Sequence, residues 1–227
     1  MAQITKKTFN FLELLVKNNN REWFQANRDM YEASHEEMVA FAAEINQLIA
    51  QHDHIVERSP KRSLFRIYRD VRFSKDKTPY KNNWGGGIKR DTPFLRGGYY
   101  YQVQPGNSFM AAGFWNPNSA DIKLIRSQIA ADPSEINRVT SEQRFIEVFG
   151  KIEGDKLKKA PQGYDVDHPA IDWLRHKQFV VRKPFTDKEV MKSDFVYTLN
   201  ETFKEVRPFF DYMSEILTTD LNGEPLY

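Results

Sequence analysis

The apolar residues of this chain change their spacing twice, and that change limits the folds open to it. Up to about residue 51 they recur every three to four positions, as on a helix with one buried face. From Leu64 the spacing becomes two, as on a half-buried strand, and beyond Asn118 the helical spacing returns. Strands grouped between helical segments point to an α+β fold rather than to strands and helices alternating around a parallel sheet.

The helical segments carry their own start and stop signals. Phe9, Phe11, Leu12, Leu15 and Val16 predict a short amphipathic helix ending at Asn18-Asn19-Asn20, with Asn20 capping the next at Arg21-Glu22-Trp23-Phe24. Met38, Phe41, Ala42, Ile45, Leu48 and Ile49 continue the pattern, which leaves open one kinked helix or two over residues 21–51. Asn118 or Ser119 caps a helix with Ile122, Ile125 and Ile129, and Ser141 opens another that Gly150 stops. Ile171 to His176 reads as a brief helix, and Thr186-Asp187-Lys188-Glu189 has the form of a capping box. The last helix bears the longest stripe, from Phe195 through Leu199, Phe203, Val206, Phe210 and Met213 to Leu217, with a kink expected at Pro208.

In the strand region, Phe65, Ile67, Val71 and Phe73 fall on one face, and Arg66, Tyr68, Asp70 and Arg72 on the other. A second strand runs from Asn83 to Lys89, where Gly85-Gly86-Gly87 marks a bulge or a close backbone approach. Gly98 to Gln104 and Phe109 to Trp115 flank the turn Pro105-Gly106-Asn107, and Phe179-Val180-Val181 supplies a fifth strand. The expectation is a single α+β domain over residues 1–227. Its antiparallel meander sheet has about five strands packed against helices from both termini.

A chain of 227 residues can bury a substantial core, roughly 70% of its extended surface. The 17 Phe, 10 Tyr and 4 Trp suit an aromatic-rich core, with a few left over as stacking surfaces. Without cysteine there is no disulfide, thiolate metal site or thiol nucleophile. The N-terminus lacks the apolar run of a signal peptide, and no stretch approaches the roughly 18 apolar residues of a membrane span. A cytoplasmic protein without membrane association is expected.

Charge is distributed unevenly. Between Lys61 and Arg90 there are ten Lys or Arg against two Asp, a surplus of eight on a chain whose net charge is +2. Several segments in and around this window resemble one bacterial family, the domain of unknown function 2461 family. They are Asn19 with Arg21-Glu22-Trp23-Phe24, Arg69-Asp70-Val71-Arg72-Phe73-Ser74-Lys75-Asp76-Lys77-Thr78-Pro79-Tyr80-Lys81, Gly98-Tyr99-Tyr100, Pro105-Gly106, and Asp167-His168-Pro169-Ala170 followed by Lys177. The resemblance covers nearly the whole chain. It implies a cytoplasmic protein of this length and supplies no activity.

The chemistry must come from the residues. Arg66, Arg69 and Arg72 offer planar forks suited to phosphate or carboxylate, and Lys75, Lys77 and Lys81 add point charges, with Tyr80 beside them. Asp70 alone cannot neutralise them all. The bland alternative is that Asp70 pairs with Arg66 or Arg72 and braces the sheet while the lysines are solvated. Asp76 reads as a turn residue accepting from nearby backbone N–H groups.

A second candidate is Asp165-Val166-Asp167-His168, where Asp167 and His168 could act as acid and base or hold an ion. Asp167 as the cap of the following helix is the preferred reading there. His52-Asp53-His54 is read as an exposed helix end rather than a metal site. Asp70, Asp167 and His168 are thus the catalytic candidates, and no metal is assigned. Walker, GxGxxG, HExxH and GxSxG patterns are all absent, so no cofactor is named.

The expected function is binding of a phosphorylated or otherwise anionic ligand at an Arg-rich strand, with an enzymatic role left open. The alternatives are a non-catalytic module docking an acidic partner, and a nucleic-acid binder, which the acidic remainder of the chain disfavours.

Overall fold

Side chains that compete for backbone N–H groups decide where the helices begin. Thr5 caps α1 (Lys6–Lys17), accepting from the Lys7 N–H at 3.2 Å, and Asn20 caps α2 (Arg21–Ala26), accepting from the Trp23 N–H at 2.8 Å. Asn27 separates α2 from α3 (Arg28–Ala50), so residues 21–51 form two helices. The structure is a computed structural model and describes residues 1–91 and 93–226.

After α4 (Pro60–Ser63), the strands are β1 (Trp84–Lys89), β2 (Gly98–Val103), β3 (Ser108–Phe114) and β4 (Phe179–Phe185). They form one antiparallel sheet in the order β1-β2-β3-β4. It has four strands where about five were expected, because the segment from Leu64 to Phe73 is not a strand. Between β3 and β4 come α5 (Ser119–Ala131), α6 (Ser134–Ser141), α7 (Gln143–Phe149) and α8 (Ile171–Leu174). After β4 follow α9 (Asp187–Val190), α10 (Phe195–Lys204) and α11 (Arg207–Ile216).

Thr186 and Glu189 form the expected capping box on α9, and Gly150 ends α7 at φ +73°. The kink expected at Pro208 is a full break. Pro208 sits in the first turn of α11, where its missing N–H has no intrahelical partner to lose.

The chain divides into two compact units. The first comprises Met1–Ile88, Tyr100–Met110 and Pro184–Glu201, and the second Lys89–Tyr99, Ala111–Lys183 and Thr202–Tyr227.

In the first unit, Phe11, Leu12 and Leu15 of α1 and Met38, Phe41 and Ile45 of α3 are fully or almost fully buried. The buried Trp84 indole donates to the Ser34 hydroxyl at 2.8 Å, Ser34 donates to Thr8 at 3.1 Å, and Thr8 donates to the Glu37 carboxylate at 2.8 Å. This relay satisfies the polar atoms inside an otherwise aromatic core. The Gly85-Gly86-Gly87 run is the close approach that its composition suggests. A Cβ on Gly86 would overlap the buried Tyr101 ring, and one on Gly87 would meet the Phe65 ring at 3.0 Å.

In the second unit, Tyr99 packs edge-on against Phe203 and Phe210 at 4.9 and 5.1 Å. Gly113, at φ +146°, lets the Phe179 backbone approach so closely that a side chain there would collide with the Phe179 carbonyl. Among the described residues, no helix is long and apolar enough to cross a membrane.

Candidate anion site in the first unit

The cationic run folds as an irregular hairpin. Its arms touch through single bridges, Leu64 to Gly86 and Tyr68 to Tyr80, and through Lys81 N–H to the Ile67 carbonyl at 2.7 Å and Arg69 N–H to the Pro79 carbonyl at 2.9 Å. The expected strand fails because short polar side chains capture backbone donors that a ladder would need. Asp70 accepts from the Arg72 N–H at 3.2 Å, and Asp76 accepts from the Thr78 N–H at 2.9 Å. The period-two alternation is also misleading as a guide to burial. Ile67 is 1% exposed, whereas Phe73, nominally on the same face, is 96% exposed.

Two residues of the Asn19–Phe24 segment anchor this hairpin. The Asn19 amide donates to the Tyr80 carbonyl at 3.0 Å and accepts from the Tyr80 N–H at 3.1 Å, as a strand neighbour would. The buried Phe24 ring stacks on the Tyr80 ring, with centroids 4.0 Å apart and planes 12° from parallel. Tyr80 is therefore held firmly in place and is 6% exposed.

The cations meet different fates. Arg69 donates to the Asp76 carboxylate and to the Thr78 hydroxyl and carbonyl, closing the hairpin internally. The Thr78 N–H, then Arg69 and the Thr78 hydroxyl, lower the Asp76 carboxyl to about 2. Arg72 grips Asp70 with both prongs, at 2.9 and 2.6 Å, which holds the Asp70 carboxyl below its usual range. That pair stands in solvent, with side chains 77% and 60% exposed, so it adds little stability. Lys77 donates to the Val71 carbonyl at 3.0 Å, and Lys75 is exposed.

Arg66, which is exposed, and Lys81 stand out from Lys75 and Lys77 because their charges lie close to each other. Among the described residues no carboxylate pairs with either. Lys81 is partly buried, with its ammonium 5.6 Å from the Phe65 ring centroid. Burial, and then the neighbouring positive charge of Arg66, lower the Lys81 pKa.

Two clefts flank the hairpin. One, of about 840 Å³, is lined by Arg21, Glu22 and Gln25 of α2 with Tyr68, Arg69 and Tyr80. The other, of about 420 Å³, shares Arg69 and Tyr80 and adds Asn19, Thr78, Lys81 and Asn83. Arg21 and Asn19 were not among the residues expected at a site. Their signal in the sequence was the Asn19 to Phe24 segment, which the family resemblance singles out but whose charge is unremarkable.

Asp167 and His168 belong to the second unit. Asp167 is exposed and does not cap the following helix. The cap position of α8 is Ala170, whose N–H donates to the His168 Nδ1 at 3.1 Å. His52 is not an exposed helix end either, because its Nε2 lies 3.0 Å from the Asn200 side-chain oxygen and Asp53 beside it is buried. Among the described residues, no group of three or more His, Asp or Glu could hold a metal ion.

A family model described as "Conserved hypothetical protein (DUF2461)" matches residues 7–212. The chain belongs to the DUF2461 family. The matched span of this DUF2461 protein contains both the Asn19–Phe24 anchor and the Arg69–Lys81 arm that it holds. No curated protein and no solved structure matches the chain.

Proposed function

We propose that this DUF2461 protein binds a phosphorylated or otherwise anionic ligand at the cationic hairpin of its first unit. The observation that carries the reading is the pair Arg66 and Lys81: two neighbouring cations, one partly buried, with no carboxylate partner among the described residues. Holding like charges together costs free energy that an anion between them would offset. Arg69, Arg72, Asp70 and Asp76 frame the hairpin by pairing with one another and are not the binding groups. Asp70, held ionised and solvent-exposed beside Arg72, is poorly suited to proton transfer near neutral pH, so the reading is of binding and assigns no reaction.

Thermal melting tests this directly. Inorganic phosphate, pyrophosphate, sugar phosphates and nucleotides are compared with chloride at equal ionic strength. A rise in melting temperature is expected with at least one phosphate compound and is lost in Lys81→Met and Arg66→Gln. The same melting temperature in every anion would refute the reading.

A further inference from the structure

Next to Lys81, one face of the sheet carries three aromatic rings in a row. Phe65 lies over Gly85 and Gly87, where a Cβ would approach its ring to 3.4 and 3.0 Å. Tyr100 follows with its centroid 6.0 Å from Phe65, and Phe109 comes 5.7 Å beyond that. Phe65 is 50% exposed, and Tyr100 and Phe109 are partly exposed. The opposite face of β2 holds the core, with Tyr101 and Val103 at 2% and 1% exposure. By the period-two rule the ring row therefore shares its face with Gln102 and Gln104, on the side of the sheet that the core does not use.

A ladder of amides runs beside the rings. The Asn83 amide donates to the Gln102 side-chain oxygen at 3.0 Å, the Tyr100 hydroxyl donates to the same oxygen at 3.1 Å, and Gln102 donates onward to Gln104 at 2.8 Å. Lys81 borders the row at Phe65, next to Arg66. All of these residues belong to the first unit.

We propose that this face binds single-stranded nucleic acid, with bases stacked on Phe65 and Tyr100 and phosphates held by Arg66 and Lys81. The inference rests on the anion-binding reading above and names its ligand class. Charge complementarity and the ring geometry both favour a strand. A free nucleotide is normally enclosed by a pocket that buries most of it, whereas a row of separate rings on an open sheet face presents one surface per base. A duplex hides its base faces and cannot use the row. Because the amides already bond to one another, they have few free groups to read base edges, so sequence preference should be weak.

The test uses the full chain and fluorescein-labelled twelve-nucleotide oligo(U) and oligo(dT), followed by anisotropy at increasing salt. Binding is expected for the single strands, and it should fall with salt at a slope of about −1.4 for two phosphate contacts. Phe65→Ala should weaken it about tenfold while Phe65→Trp retains it. Melting temperatures of both variants establish that they fold. If single strands fail to bind while pyrophosphate or a sugar phosphate still raises the melting temperature, the anion site stands and the strand inference falls. If neither binds, both fall. Strand binding that is unchanged in Phe65→Ala, or a duplex of the same sequence binding equally well, would also overturn the inference.

Discussion

Arg90 and Lys81 come from the same cationic stretch of sequence and meet opposite environments. In the second unit, the Arg90 side chain is 0% exposed and donates to Asp211 at 3.1 Å, to the Ser214 hydroxyl at 3.1 Å and to the Arg96 carbonyl at 3.3 Å. Its guanidinium also lies 5.1 Å from the centre of the Phe210 ring. In the first unit, Lys81 has an aromatic ring and another cation for company, and no carboxylate among the described residues. A surplus of charge in a sequence is therefore not a site. What separates a structural cation from one open to a ligand is whether the fold supplies its partners.

The largest effect should come from disturbing the satisfied cation. Asp211→Ala removes a carboxylate that the buried Arg90 donates to and should cost about 2 kcal/mol of stability in denaturant unfolding. Arg90→Met should cost less, because it removes the charge together with the need to pair it and refills most of the volume. A negligible cost for Asp211→Ala would mean that Arg90 acts through packing alone.

A smaller loss, about 1 kcal/mol, is expected for Asn19→Ala, which removes both bonds that hold Tyr80. If the hairpin must be held in shape to bind, the same variant lowers anion affinity as well. Unchanged affinity would separate the anchor from the site.

The arrangement of helices and of the four strands was legible in the sequence because each signal was local. Asn20, Asn118 and Thr186 cap the helices assigned to them, and the glycine run marks the strand crossed closely by aromatic rings. The stretch from Phe65 to Phe73 was misread because alternation alone cannot show whether a partner strand exists. Asp70 and Asp76 turn the backbone donors inward, and nothing in the spacing of Phe65 and Phe73 reveals that both face solvent. The cationic candidates were legible as a group. Their sorting into paired and unpaired members depended on Asp76 and Asp70 folding back within the hairpin, and on Asp211, which lies far off in sequence.

Acid should expose the internal pairing of the hairpin. The Asp76 carboxyl titrates at about 2 in the folded protein against an ordinary 3.8, so its contribution to stability is present above the ordinary value and is lost as pH falls through about 2. Wild type and Asp76→Asn should therefore differ in melting temperature near neutral pH and converge in strong acid. A constant difference over that range would show that Arg69 does not depend on the ionised carboxylate. The smallest effect belongs to Phe73→Ala at the hairpin tip, where 96% exposure predicts a stability change within about 0.5 kcal/mol.

The most direct measurement is an NMR titration of the lysine side chains in labelled protein, with and without pyrophosphate. In the free protein, the Lys81 signal should titrate below the ordinary 10.5, because burial and Arg66 disfavour its charge. Added pyrophosphate should move that titration upward while leaving exposed lysines such as Lys75 largely unchanged. A Lys81 signal that titrates with the bulk lysines, or one that pyrophosphate does not move, would contradict an anion site at this hairpin.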